Sequence, residues 1–293
     1  MKTTPLIASI LLLCLHAQAS AQHARFVLFG EPAQEADTAP EHRFVHPVTT
    51  PYFHEDSFIT SDVRAWYVYH KFPGAGVIDG GDASVYAAQI RLAITNQIQL
   101  VAYKDGYTEF DSGLVDDGGL NDVAAGIKWN FLQDWHNQFH LAAGIGYEFS
   151  VGDDEALQDD GELRLWLSAN KGFDRLHLGG TLNVFFADDK SDGLGNSDHL
   201  IWNVHLDYYV CEWFSPVLEF SGFHVLDRGT EVVPFSGLDV TNLGGGEDVV
   251  TVGFGIELRP LPCVAVRAAY EIPLTSKEDL YGYRWTFSVV LSF

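Results

Sequence analysis

Apolar residues alternate with polar or small ones along residues 61–293, for about ten residues at a time, with turn signals between the segments. The last segment shows this most clearly. One face of it carries Tyr283, Trp285, Phe287, Val289, Leu291 and Phe293, and the other carries mainly Arg284, Thr286, Ser288 and Ser292. A period of two predicts a β-strand whose two faces meet different surroundings.

The same alternation predicts about twelve strands, with cores near 62–71, 84–94, 97–107, 120–131, 138–151, 161–171, 175–187, 198–209, 214–226, 248–259, 263–272 and 281–293. The third is the least regular, because Lys104 falls on its apolar face and Asp105-Gly106 follows. We expect a β-bulge or an early strand end there.

A soluble β-sandwich also alternates, but three features favour a membrane barrel. Short turns alternate with long loops, as in bacterial outer-membrane barrels. Aromatic residues lie towards strand ends on the apolar face, where they would form interfacial girdles: Trp129, Phe131, Tyr147, Phe149, Phe186, Tyr208 and Tyr270. The last residue, Phe293, is an aromatic on that face. We therefore predict an all-β, transmembrane, antiparallel up-and-down β-barrel of about 12 strands in the cell outer membrane.

The N-terminal part predicts export. Lys2, an apolar stretch and Ala19-Ser20-Ala21 together suggest a signal peptide over 1–21. Residues 22–60 do not alternate and form a periplasmic N-terminal segment before the barrel at 61–293. Two interpretations stay open for this segment: a partly disordered tail, or a stretch from His46 to Phe58 that packs on the periplasmic rim or enters the lumen as a plug.

Composition narrows the function classes. The 293 residues include 17 basic and 40 acidic ones, a formal net charge of −23, which excludes binding to a nucleic-acid backbone. The mean hydropathy of +0.02 is too low for a bundle of membrane helices.

The polar faces of the predicted strands would line the lumen. They carry Arg91, Lys128, Glu148, Glu162, Arg164, Asp207, Glu219, Glu257, Arg259, Arg267, Glu271 and Arg284, with Trp166 and Phe185 among them. Both signs are present, so the lumen is either filled by ion pairs or left as a charge-lined selective pore. Turn positions place Glu257 diagonal to Arg267 and Glu271 opposite Arg284.

Signals for catalysis or metal binding are weak. The strand histidines His140, His177, His199, His205 and His224 lack a nearby serine in the same strand, so we predict no enzyme, no catalytic residue and no cofactor. His205 and Asp207 share a face and could hold a metal, although a hydrogen-bonded pair is the simpler interpretation. Residues 188–193 fail the calcium-loop pattern because Lys190 occupies a ligand position. A bridge between Cys211 and Cys263 is left open.

Three strings carry a resemblance to a known family: His46-Pro47-Val48-Thr49-Thr50-Pro51-Tyr52-Phe53, Tyr67-Val68-Tyr69-His70-Lys71-Phe72-Pro73, and Ala102-Tyr103-Lys104-Asp105-Gly106. With the export leader, they resemble uncharacterised Gram-negative outer-membrane barrels grouped with the phenol-degradation meta-pathway family of transporters. The resemblance implies a porin-like barrel and no catalytic residue.

These features together predict a channel for passive or facilitated diffusion of small solutes. The alternatives are a closed barrel with a structural or surface-interaction role, and an outer-membrane enzyme acting on lipid. Expected partners are the outer-membrane lipid and lipopolysaccharide, the assembly machinery through the C-terminal strand, and a small-molecule solute. The extracellular loops are rich in Asp and Glu, so divalent cations could bridge them to lipopolysaccharide, although solvated loop acids are the simpler interpretation.

Overall fold

The computed structural model of the chain describes residues 26–32, 39–74, 79–113, 115–156, 161–190, 197–227, 248–275 and 282–293; the predicted leader and parts of the long loops lie outside them. The strands are β1 Asp62–Lys71, β2 Gly81–Ala93, β3 Ile98–Lys104, β4 Tyr107–Ser112, β5 Gly118–Leu120, β6 Val123–Asp134, β7 Phe139–Phe149, β8 Glu162–Phe173, β9 Leu176–Ala187, β10 Asp198–Tyr208, β11 Phe214–Asp227, β12 Val249–Leu261, β13 Val264–Pro273 and β14 Tyr283–Ser292. Two three-residue 3₁₀ turns, Pro40–His42 and Asp154–Ala156, complete the elements. Within these ranges no helix has the length and apolar character needed to cross a membrane.

The strands form a closed antiparallel barrel. Neighbours in sequence pair with each other, and β1 pairs both with β2 and with β14, so the sheet has no open edge there. The segments β3 and β4 follow one another along β2, and β5 and β6 continue the next position in the wall. Fourteen segments therefore make a twelve-strand barrel, which confirms the predicted fold class.

The irregularity predicted in the third strand is present. The pairing of β3 with β6 shifts register between Ala102 and Lys104, and consecutive Tyr103 and Lys104 are both buried. Simple alternation would place Lys104 on the apolar outer face, but the extra residue of the bulge turns its side chain inward. There its Nζ atom lies 2.5 Å from Oε1 of Glu148.

The outer face of the barrel is apolar. Large exposed side chains include Ile127, Trp129, Ile145, Phe149, Leu165, Leu167, Leu182, Phe186, Phe254, Trp285 and Phe287. Soluble proteins rarely expose contiguous apolar patches larger than a few hundred Å². A surface of this kind, on a barrel whose inward residues are polar, is suited to lipid contact.

The lipid-facing assignment predicts a depth-dependent effect of charge. Leu182, in the middle of β9, and Leu176, at its first residue, both point outward and are 45% and 42% exposed. Leu182→Arg is expected to destabilise the barrel by about 2 to 4 kcal/mol, because an arginine at the bilayer midplane loses its hydration. Leu176→Arg near the interface should cost only about 0 to 1 kcal/mol. Reversible unfolding in lipid vesicles measures both values.

The adjacent Thr181 confirms the strand parity but makes a poorer control. It points inward with 4% exposure, and its hydroxyl donates to the carbonyl of Glu55. A long side chain there would clash with the barrel contents as well as change the charge. Equal destabilisation by Leu176→Arg and Leu182→Arg would contradict the proposed position of β9 in the bilayer.

Candidate functional site

A loop of the chain's own N-terminal part occupies the barrel interior. Every residue of 44–60, which we call the lumen loop, is buried. With strands about 4.8 Å apart and tilted by about 40°, a twelve-strand barrel has a backbone radius of roughly 12 Å, so the wall side chains leave room for about two extended chains. The lumen loop supplies these two limbs.

The lumen loop enters and leaves at the same end of the barrel. On the incoming side, Nη2 of Arg43 donates to the carbonyl of Glu212, in the short turn between β10 and β11, at 2.9 Å. On the outgoing side, the backbone N–H of Phe293 donates to the carbonyl of Ser61 at 2.9 Å. Between them the chain turns at Thr50, which has a positive φ of 50° and whose carbonyl accepts from the N–H groups of Phe53 and His54. The loop is therefore inserted from the short-turn end.

The tip of the loop packs into an apolar cluster near the long-loop end of the barrel. Tyr52 and Phe53 contact wall residues that lie close to the strand ends, in a cluster that also contains Val68, Phe72, Ala83, Val85, Phe110, Phe185, Ile201, Phe223 and Val249. A small space at the tip is lined by Thr50, Pro51, Tyr52, Phe53, Val68, Val85 and Arg284. The tip therefore occupies the lumen near the long-loop end.

Two wall carboxylates hold the incoming limb. Asp207 accepts from the N–H of Val45 at 3.0 Å. Glu219 accepts from the N–H groups of Val48 at 2.9 Å and Thr49 at 2.5 Å, and from the Thr49 hydroxyl. His205 lies between the two carboxylates, with Nδ1 2.6 Å from Glu219 and Nε2 3.1 Å from Asp207. Hydrogen bonds to a buried carboxylate are stronger than those between neutral groups. The hydrogen bonds to Asp207 and Glu219 therefore hold residues 45–49 in place.

Arg164 holds the tip through backbone carbonyls. Its Nη1 and Nη2 atoms donate to the carbonyls of Tyr52 and Phe53, both at 2.9 Å. Its guanidinium carbon lies 4.6 to 5.8 Å from the ring centres of Phe53, Tyr103, Trp166 and Phe185. Trp166 fits because the facing residue is Gly144, where an added Cβ would lie 2.0 Å from the indole. The planar guanidinium both stacks on rings and donates in two directions.

Two cations of the wall take their carboxylate partners from the loop. Nη2 of Arg91 lies 2.7 Å from Glu55, and Nζ of Lys128 lies 3.6 Å from Glu55 and 3.4 Å from Asp56. Nδ1 of His46, also in the loop, lies 2.6 Å from Asp56. These groups are all buried, so each charge depends on its partner.

Side-chain amides of the wall satisfy the backbone of the outgoing limb. Asn170 accepts from the N–H and hydroxyl of Ser57 at 2.8 and 2.7 Å. The amide groups of Gln89 and Gln99 donate to the carbonyls of Pro51 and Thr60, at 2.7 and 2.6 Å. A chain outside any sheet must find partners for its backbone groups, and the polar wall provides them.

The structure buries all twelve predicted lumen residues, each with 6% exposure or less: Arg91, Lys128, Glu148, Glu162, Arg164, Asp207, Glu219, Glu257, Arg259, Arg267, Glu271 and Arg284. Some pair within the wall, such as Glu257 with Arg259 at 2.8 Å and with Arg267 at 2.9 Å. Glu257 faces Arg267 directly; the predicted diagonal arrangement was wrong, because the pairing of β12 with β13 is centred on Pro262 instead of Leu261. Glu271 lies opposite Arg284, as expected.

The last pair predicts a coupling. Nη1 of Arg284 lies 4.0 Å from Oε2 of Glu271. Arg284→Ala alone is expected to destabilise the barrel, because it removes the cation next to the buried carboxylate of Glu271. Adding Glu271→Ala should restore much of the lost stability. Thermal unfolding of the wild type, both single variants and the double variant measures the coupling. Strictly additive effects would show that the two side chains do not interact.

Several residues that contact the lumen loop are absent from the predicted set. Asp62 and Arg64 form an inward ion pair at 2.7 Å, and Gln89, Asn170 and His177 are also buried. The alternation of β1, β2, β8 and β9 already placed these side chains inward. The predicted set left out Gln89 and Asn170 because it considered mainly charged residues, and it also left out Asp62 and Arg64, which are charged. Glu55 and Asp56 could have been suspected from two adjacent acids within an otherwise aromatic stretch.

The structure also describes the possible metal site, the cysteine Cys211 and the loop residue Lys190. His205 and Asp207 form a hydrogen bond, and in the part of the chain that the structure describes no three His, Cys, Asp or Glu side chains are arranged to hold a metal ion. Cys211 is a free thiol, so it is not bridged to Cys263. In the loops, Lys190 donates to Asp198 and Asp227, at 2.7 and 2.8 Å, and these hydrogen bonds raise the pKa of Lys190.

Comparisons with solved structures find similar β-barrels. The chain is similar to the KdgM porin solved in complex with disordered oligogalacturonate (12% identity over 79% of this chain and 99% of that chain, TM-score 0.47). It is also similar to the translocator domain of the autotransporter NalP from Neisseria meningitidis (12% identity, 80% and 88%, TM-score 0.48) and to Omp33 from Acinetobacter baumannii (10% identity, 80% and 99%, TM-score 0.41).

No protein-family model matches the chain, and no curated protein is significantly similar to it in sequence. The resemblance to the phenol-degradation meta-pathway family therefore stays a prediction.

Proposed function

We propose that the protein is an outer-membrane channel for small solutes, closed in this conformation by the lumen loop and conducting when the loop withdraws. The observation that carries the proposal is that both ends of residues 44–60 lie at the short-turn end of the barrel. A loop inserted in this way can leave without being threaded through the wall. The channel assignment does not require any catalytic group.

The nature of the contacts supports withdrawal. The limbs of the loop are held by hydrogen bonds and ion pairs with side chains of the wall, and water can replace these partners. The tip at Tyr52 and Phe53 joins the large apolar cluster, and Val45, Val48 and Ile59 of the limbs make smaller apolar contacts with the wall. Away from this cluster, the wall that would be exposed is mainly polar, as the lumen of a water-filled barrel must be.

The dense ion pairing of the interior favours a second candidate, a permanently closed barrel with a structural role. The two candidates differ in whether the loop ever leaves. Single-channel recording in a planar bilayer distinguishes them, because a gated channel shows discrete openings and a permanently closed barrel shows none.

Asn170→Ala is expected to raise the open fraction. The substitution removes two neutral hydrogen bonds to Ser57, worth about 1 kcal/mol each, so the closed-to-open ratio should fall by roughly 30-fold. The matched control is Asn203→Ala, also inside the barrel, whose hydrogen bonds go to the wall residues Asn183 and Ser221. Equal open fractions in both variants would contradict gating by the loop, and the absence of openings in every variant would favour the closed barrel.

A further inference from the structure

The wall bears a cluster of cations whose carboxylate partners come from the lumen loop. Arg91 on β2 and Lys128 on β6 are 1% and 0% exposed, and their ion pairs are to Glu55 and Asp56 of the loop. Arg164 on β8 is 0% exposed and donates to two loop carbonyls. We call Arg91, Lys128 and Arg164 the cation cluster.

The wall carboxylates near this cluster are Asp62 and Glu162. Asp62, which faces Arg91 across the β1–β2 pair, is engaged by Arg64 at 2.7 Å. Glu162, two residues from Arg164, lies 3.9 Å from Nε2 of His199. When the loop withdraws, Arg91 and Lys128 lose the two loop carboxylates with which they are paired.

The two loop carboxylates lie close enough together for one short dicarboxylate to replace both. Both lie within 3.6 Å of the same Lys128 ammonium, so their nearest oxygens are no more than about 7 Å apart. Arg91 donates from Nη2 to Oε1 of Glu55. The Nε atom of Arg91 has no hydrogen-bond partner among the described residues. An arginine and a lysine arranged in this way fit a small molecule with two carboxylates.

We propose that the cation cluster is a binding site for short-chain organic dicarboxylates, and that Glu55 and Asp56 occupy it as an internal mimic in the closed conformation. This inference rests on the proposed channel function, since the solute reaches the cluster only when the loop moves. It gives the channel a solute class, and it makes the solute a competitor of the closing loop. The effective concentration of the tethered loop carboxylates explains why the closed form prevails without solute.

The full-length variant Glu55→Gln with Asp56→Asn tests the site. It keeps the shape of the loop and removes both charges, so it should unfold at a lower temperature than the wild type. Millimolar succinate should raise that temperature, because a ligand that binds only the folded barrel stabilises it by mass action. Butyrate at matched ionic strength should give a much smaller shift. The wild type should respond weakly to succinate, because its own carboxylates compete.

Further variants test whether the succinate-induced rise in unfolding temperature arises at the cation cluster. Adding Lys128→Gln to the double variant should abolish the succinate shift, whereas adding Lys190→Gln, outside the lumen, should leave it intact. Glu55→Gln alone frees mainly Arg91 and should respond less than the double variant, which keeps the test available if the double variant folds poorly. Heat-modifiable gel mobility reports folding in each case.

The outcomes separate the site from the channel. Equal succinate shifts in the wild type and the double variant, no shift in any variant, or a shift that survives Lys128→Gln would each overturn the dicarboxylate site. A protein that conducts but shows no such shift would keep the channel and reject the site. A protein that binds succinate at Lys128 but never conducts would keep the site and reject the channel.

Discussion

Glu219→Gln is expected to give the largest increase in channel opening of any conservative substitution in the wall. Glu219 accepts from the N–H groups of Val48 and Thr49, from the Thr49 hydroxyl, and from His205. A glutamine has nearly the same size but no charge. Its NH₂ group would replace one carboxylate oxygen and would face the N–H and O–H groups that now donate to that oxygen. Hydrogen bonds to a charged group contribute roughly 1.5 to 3 kcal/mol each, so the closed state should lose about 3 kcal/mol or more, a factor of at least about 100.

Two measurements report this effect. Single-channel recording should show the variant open for most of the time, and a cysteine placed at Ser57 in the lumen loop should become much more reactive towards a soluble thiol reagent. Glu148→Gln is the matched control, because Glu148 is also a buried wall carboxylate and its ion pair is with Lys104 of the wall. If the two variants open equally, loss of any buried wall carboxylate destabilises the closed state, and the specific role assigned to Glu219 in holding the lumen loop is wrong.

Arg164→Lys is expected to be nearly as damaging as removal of the charge. The guanidinium donates from separate Nη atoms to the carbonyls of Tyr52 and Phe53 while lying over four aromatic rings. A lysine ammonium cannot reach both carbonyls in this plane, and it is harder to desolvate among rings. We expect the barrel to lose about 3 to 5 kcal/mol, in the range for breaking a buried charged contact.

Thermal unfolding in detergent measures that loss. The control is Arg284→Lys, since Nη1 of Arg284 lies 4.0 Å from Oε2 of Glu271 and a lysine ammonium can also pair with that carboxylate. Arg164→Lys should lower the unfolding temperature far more than Arg284→Lys. Comparable changes in the two variants would mean that the shape of the Arg164 head group does not matter.

The barrel was predictable because its wall obeys one rule along its whole length. Inward and outward positions alternate in strands such as β8, β9 and β14, and a lipid exterior keeps that alternation strict. The alternation is interrupted at Lys104, where the sequence predicted a bulge or an early strand end, since one extra residue reverses the face of the side chain after it. The turn between β12 and β13 was misplaced because β12 continues to Leu261, so that Pro262 and Cys263 form the turn.

The lumen loop was harder to predict because its conformation has no period. Residues 44–60 are held by contacts more than a hundred residues away in sequence, such as Val48 with Glu219 and Ser57 with Asn170. Aromatic content left a plug as one of two interpretations, but it could not say which wall residues would bind it. The predicted lumen list named Arg91, Lys128 and Arg164, but not the loop acids and carbonyls that neutralise them.

A reversible cross-link tests the central claim most directly. The hydroxyl oxygens of Thr50, at the loop tip, and Ser221, in β11, lie 3.0 Å apart. In a Cys211→Ser background, Thr50→Cys with Ser221→Cys should form a disulfide that fixes the loop inside the barrel. The control is Asn203→Cys with Ser221→Cys, because these two wall residues are hydrogen-bonded at 2.9 Å and do not include the loop.

Planar-bilayer conductance is then recorded before and after reduction of each protein. We expect the oxidised Thr50–Ser221 protein to stay closed and to gain the openings of the parent when it is reduced, whereas the control should open equally in both states. Openings of unchanged size and frequency in fully cross-linked Thr50–Ser221 protein would contradict gating by the lumen loop. The absence of channel openings in every protein, reduced or oxidised, would contradict the proposed channel function.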